Sequence, residues 1–180
     1  MEETVEIDPG AYGVDVRRLP LEAAESEVYE GYESEGRKVA FKVYRSLSAE
    51  QVLLYAEVTN FLAGLHNDSD DYIKLEVGEG VFSLRLRIVP VDVAGMVGKY
   101  PGTISEFIDG ETLFDLEPHY MSNRFDRLKD DPLVRLSGKL AKEAGRRNIA
   151  IIPWNVKPLL DQDFKVLAIT DICGSIGQLR

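Results

Sequence analysis

Apolar and polar positions alternate between Arg37 and Arg45. Val39, Phe41 and Val43 interleave with Lys38, Ala40, Lys42 and Tyr44, the two-residue period of a strand. A turn at 33–36 precedes this run, and 27–32 reads as its hairpin partner. The period then lengthens. Ser48 is followed three residues later by Gln51, a capping box, and Val52, Tyr55, Thr59, Leu62 and Leu65 recur at helical spacing. This predicts a helix over 49–66. Glu57 lies within it, four residues from both Leu53 and Phe61, and is expected to look towards the core. A carboxylate there needs a cation, and Lys42 is the available one.

Downstream the strand period returns. Residues 72–77 and 81–89 read as two strands, with Phe82, Leu84, Leu86 and Ile88 alternating with Ser83, Arg85 and Arg87 until Pro90 ends the run. Residues 92–102 hold three glycines and a proline and read as an irregular link. Residues 103–108 form a further strand, closed by Asp109-Gly110. With a first strand at 16–21, this is an antiparallel sheet of five or six strands with one helix inserted after the third.

From Glu111 the pattern turns helical. A short helix is expected at 112–116. A longer one runs from Asp131-Pro132 to Gly145, with Leu133, Leu136, Leu140 and Ala144 on its apolar face. Residues 148–155 read as an apolar loop, and 156–160 with 165–170 as a small hairpin that Asp171 closes. The fold class is α+β.

Composition narrows the function. The chain has 180 residues, 44% of them hydrophobic, enough for one domain or two small lobes. A formal net charge of −10 disfavours a nucleic-acid backbone, yet leaves room for a nucleotide held by one cationic site and magnesium. Cys173 is the single cysteine, so no intrachain disulfide can form, which fits a reducing cytoplasmic setting. No apolar run is long enough to span a bilayer, and the acidic start Met1-Glu2-Glu3 is unlike a signal peptide. His66, His119 and Cys173 give no zinc spacing. Lys42 then has two readings: a solvated strand lysine, or a buried one that holds phosphate oxygens.

The order of these motifs resembles the protein-kinase-like fold. Val39-Ala40-Phe41-Lys42 is similar to the third-strand Val-Ala-x-Lys, and Glu57 is placed like the glutamate paired with that lysine. Residues 106–113, starting with Glu106-Phe107-Ile108, look like the hinge after the fifth strand. Asn155 matches the asparagine ending the catalytic loop, and Asp171 the magnesium aspartate. Glu25-Ser26-Glu27-Val28-Tyr29, Lys42-Val43-Tyr44-Arg45 and Asp171-Ile172-Cys173-Gly174-Ser175-Ile176 resemble the atypical RIO type and the small-molecule phosphotransferases. The resemblance spans 16–176.

It implies an N-terminal extension over 1–15, an antiparallel five-stranded N-lobe with one inserted helix over 16–110, and a reduced, truncated helical C-lobe over 111–180. It also implies ATP and magnesium as cofactors, with Lys42, Glu57, Glu106 and Ile108 on the nucleotide and Asn155 and Asp171 on the metal. One departure is decisive. Ala150 stands five residues before Asn155, where the family has its catalytic aspartate, and Asn148 replaces the histidine. Alanine cannot accept a proton. The loop before the second strand also lacks glycine and carries Glu22, Glu25 and Glu27, poor chemistry for phosphate. The expectation is a pseudokinase acting as a regulatory or binding module with a protein partner, or in a homo-oligomer, without nucleic acid or membrane. The alternative is a small atypical phosphotransferase using Lys42, Asn155 and Asp171 with Mg-ATP.

Overall fold

The computed structural model describes residues 14–16, 21–22, 26–68, 72–77, 79–112, 138–139, 141–143, 145–146, 149–151, 157–161, 165–171 and 176–178. They form an α+β arrangement of mostly antiparallel sheets. The chain divides into two compact units. The first comprises Met1–Glu57 and Pro90–Phe107, the second Val58–Val89 and Ile108–Arg180.

The first unit is built on the strand that the alternation predicts. Its strands are β1 (Val14–Val16), β2 (Leu21–Glu22), β3 (Ser26–Glu33) and β4 (Lys38–Tyr44), and later β7 (Val91–Val97) and β8 (Tyr100–Glu106). The order is β1-β3-β4-β8-β7, with β2 also beside β3, and all neighbours are antiparallel. The sheet has six strands among the described residues, but not the set expected from the sequence: 72–77 and 81–89, which that reading placed in it, pair in the sheet of the second unit. Of the first strand expected at 16–21, the described residues are Val16, which ends β1, and Leu21, which opens β2. The β3–β4 turn is closed by Gly36 N–H donating to the Glu33 carbonyl at 2.8 Å. Gly36 takes φ 81°, which a glycine reaches without steric cost.

The largest correction in this unit is at 92–102. That stretch is a β7–β8 hairpin, not an irregular link. Its glycines serve turn and bulge: Gly98 turns at φ 58°, and Gly95, at φ 100°, follows the register shift after Val93. One face of the sheet gathers Tyr29, Phe41, Val43 and Val97, with Ala94, Tyr100 and Ile104 packed against them. Each such fully buried side chain contributes about 1.5–3 kcal/mol.

The helix α1 (Ala49–His66) begins in the first unit and ends in the second. Its capping box forms as predicted. Ser48 N–H donates to Gln51 Oε1 at 2.8 Å, and Gln51 N–H to Ser48 Oγ at 3.2 Å. Val52, Tyr55, Ala56, Thr59, Leu62 and Ala63 are buried, whereas Glu50, Leu53, Glu57, Asn60 and Gly64 are exposed. The second set recurs every three or four residues and marks the outer face. Glu57 therefore faces outward, against the sequence expectation, and so does Leu65.

The second unit holds β5 (Tyr72–Val77), β6 (Gly80–Ile88), β9 (Gly110–Thr112), β11 (Lys157–Asp161) and β12 (Val166–Asp171) in the order β5-β6-β12-β11-β9. Among the described strands only β6 and β12 run parallel. A separate pair joins β10 (Ile149–Ile151) to β13 (Ile176–Gln178). Leu84, Leu86, Ile88, Ala168 and Ile169 are buried. The helical lobe expected over 111–180 is therefore largely strands among the described residues. Helical residues there are 138–139, 141–143 and 145, within the longer predicted helix. Thr112 ends β9 rather than opening a helix, and Ile149–Ile151 is a strand rather than loop. Its two β-branched isoleucines suit a pleated surface. The predicted hairpin 156–170 is present as β11–β12. Residues 113–116 and 132–137 lie outside the described residues.

Candidate functional site

Lys42 occupies the middle of the first sheet, opposite Val28 on β3 and Thr103 on β8. Alternation places Lys38, Ala40, Lys42 and Tyr44 on one face of β4, away from Phe41 and Val43. Across the ladders the same face carries Ser26, Val28, Glu30 and Tyr32 from β3 and Thr103 and Ser105 from β8. This is the polar side of the sheet, yet it is covered. Lys42 is 8% exposed, Thr103 1% and Ser105 8%, and Ser26 and Glu30 are buried too. The sheet thus separates an apolar face from a largely buried face that carries the Lys42 and Lys38 ammonium groups, the Glu30 carboxylate and several hydroxyls.

Tyr44 braces this face. Its hydroxyl lies 3.3 Å from Thr103 Oγ1, and its ring meets Tyr55 of α1 edge-on, with centroids 6.0 Å apart. Such a pair adds about 0.5–1.5 kcal/mol beyond burial. Further along, Lys38 Nζ lies 3.3 Å from Glu30 Oε1 and 4.1 Å from the Phe107 ring centroid. Tyr32 donates to the same carboxylate at 3.4 Å. Buried Glu30 is thereby matched by a cation.

A second cluster lies at the far end of β3 and β4. Arg45 pairs with Glu27, whose other oxygen accepts from the Tyr29 hydroxyl at 2.9 Å. Burial first, then the Glu27 hydrogen bond and charge, push the Tyr29 phenol up to about 12, while Arg45 opposes. The unfolded phenol titrates near ~10. The folded chain therefore holds this proton longer. The associated stability is fully present below the unfolded pKa and is lost as pH rises through the folded one. Tyr29→Phe should flatten the alkaline fall in urea midpoint across that window. Equal slopes in both proteins would show an ordinary phenol.

The expected site residues divide between the units. The first holds Lys42, Glu57 and Glu106; the second holds Ile108, Ala150 and Asp171. The expected buried pair of Lys42 with Glu57 is not formed as drawn from the sequence, because Lys42 is buried and Glu57 is on the outer face of α1. Glu106 ends β8 opposite Val39, and Ile108 is the first residue of the second unit's later segment. Between them, Phe107 N–H donates to the Lys38 carbonyl at 3.3 Å. Ala150 lies in β10 opposite Gly177, and Asp171 ends β12 opposite Lys157. Asn155 lies outside the described residues.

Two residues of the polar face, Thr103 and Ser105, escaped the sequence reading. Tyr44 shares Lys42's face by simple alternation. Thr103 and Ser105 needed the β4–β8 register, which no local pattern gives. Among the described residues no group of three or more His, Cys, Asp or Glu gathers as metal ligands, and no helix is long and apolar enough to cross a membrane. No protein-family model matches the chain, and no curated protein matches it.

Proposed function

We propose that the chain is a degenerate kinase-like domain that binds a nucleotide phosphate at Lys42 and serves as a binding or regulatory module for a protein partner. The observation that carries this reading is a lysine buried in a central antiparallel strand, on a face lined by Thr103, Ser105 and Ser26. An ammonium donates up to three hydrogen bonds and hydroxyls donate as well, a donor set suited to anionic oxygens. A helix follows the lysine strand, and β8, paired with it, leads into the hinge-like Glu106-Phe107-Ile108. The chain passes from the first unit to the second between Phe107 and Ile108.

The regulatory reading is favoured over phosphotransfer by Ala150. Its methyl group neither orients a nucleophile nor takes its proton. The test is thermal denaturation with millimolar Mg-ATP. A ligand that binds only the folded state raises its stability by mass action, about 2.7 kcal/mol at a hundredfold excess over Kd. The shift should be present in the natural chain and absent in Lys42→Ala. No shift in either would end the nucleotide reading, and a shift kept by Lys42→Ala would move the site elsewhere.

A further inference from the structure

A sheet ends in strands whose outer N–H and C=O groups lack a ladder partner. In the first sheet β7 is an edge, and its register shift between Val93 and Gly95 is a bulge of the kind that blunts edges. The edge strands β1 and β9 have three residues each, too short to template much. Among the described residues the β5 edge of the second sheet differs. It has six residues and pairs with β6 along its whole length, from Tyr72 to Val77, without a register shift.

Its sequence is Tyr72-Ile73-Lys74-Leu75-Glu76-Val77. Alternation assigns positions 72, 74 and 76 to one side of the strand and 73, 75 and 77 to the other. We propose that this edge is a self-association surface, on which β5 of a second copy pairs antiparallel about a two-fold axis through Leu75. In that register Leu75 lies opposite the partner's Leu75, and Ile73 lies opposite the partner's Val77. Lys74 then lies opposite the partner's Glu76. A two-fold axis repeats each contact, so this one complementarity yields two cross-strand ion pairs.

The charge pattern also selects the register. The two neighbouring registers that keep the faces aligned put Lys74 opposite Lys74, or Glu76 opposite Glu76. Like charges directly opposed destabilise a strand pair. A one-residue slip sets charged positions on the apolar side. Lys74 is exposed, as are Tyr72 at 62% and Val81 at 67% on the same hairpin, so apolar surface flanks the edge. The net charge of −10 opposes approach of two copies. Charges are screened beyond about 8 Å at physiological salt, so the local pairs decide once the strands meet.

Sedimentation velocity across a concentration series, up to about 1 mM where a weak dimer shows, tests this on the full chain. The natural chain should dimerise. Lys74→Glu alone and Glu76→Lys alone should each be monomeric at the same concentration. The double variant Lys74→Glu/Glu76→Lys should dimerise again. Mixing the two single variants should give a heterodimer, because every opposed pair is then of unlike charge; this outcome also shows that both variants are folded. A monomeric natural chain, a dimer indifferent to either single swap, or a mixture that stays monomeric would each overturn the proposal.

Discussion

Replacing Asn67 with alanine is expected to lower the unfolding free energy by roughly 2–6 kcal/mol, from two part-buried backbone groups left unpaired at about 1–3 kcal/mol each. Asn67 follows the last turn of α1, and its own N–H closes that turn on Ala63 at 2.8 Å. Its side chain then does what a strand would do. Nδ2 donates to the Ile88 carbonyl at 2.7 Å, and Oδ1 accepts from Ile88 N–H at 2.9 Å. The need arises from topology. On one side β6 bonds to β12, through Arg85 N–H to Lys165 and Val89 N–H to Ile169. On the other side, among the described residues, β5 pairs as far as Tyr72 opposite Arg85. Ile88 lies three residues further on, and the amide supplies both missing bonds. The Asn67 carbonyl also accepts from Arg85 Nη2 at 3.1 Å. Asn67→Asp tests the geometry separately. It keeps the acceptor for Ile88 N–H but sets a second oxygen against the Ile88 carbonyl, so it should be no better than alanine. Chemical denaturation of both variants decides. A loss below about 0.5 kcal/mol would mean that water replaces the amide in full.

Asn67 also shows where legibility in the sequence ends. Strand and helix periods placed α1 to the residue, located its capping box, and found β3, β4, β5 and β6 within one or two residues. These elements announce themselves locally. Their pairing does not. The parallel β6–β12 ladder joins positions about eighty residues apart, and nothing near Leu86 or Leu167 encodes it. Asn67 reads as an ordinary turn residue until that ladder is known.

The stretch 92–102 misleads for a different reason. Gly95, Gly98 and Pro101 are loop residues by composition, but here they make a bulge, a turn and a strand start. Glu57 misleads because α1 carries apolar residues on its outer face too, with Leu53 and Leu65 half exposed. Two apolar stripes could be drawn, and the packing chose the one through Val52, Tyr55, Thr59 and Leu62. Burial of Lys42 was legible as one of two readings. The hydroxyls around it required the register of β8.

The second large effect is expected at Phe41, whose side chain is fully buried between Tyr29, Val43 and Val97. Phe41→Ala should cost about 3–5 kcal/mol, the usual range for an aromatic deletion in a core. Gly102 sharpens the prediction. A Cβ at that position would lie 3.2 Å from Phe41 Cζ, 3.3 Å from the Lys42 carbonyl oxygen and 3.4 Å from Val97 Cγ2. The ring end has therefore taken the space that any side chain at 102 would need. Gly102→Ala should cost about 1–3 kcal/mol by overpacking. In a Phe41→Leu background the ring contact is gone, and the same alanine should cost less. Some cost should remain, because the Lys42 carbonyl belongs to the ladder and yields little. A double-mutant cycle by urea denaturation measures this coupling directly. Additive costs would mean that the ring does not set the spacing. Both substitutions act on the apolar face of β4, opposite Lys42. A nucleotide response that depends on Lys42 should therefore survive Gly102→Ala as long as the sheet is folded, which separates loss of the fold from loss of the site.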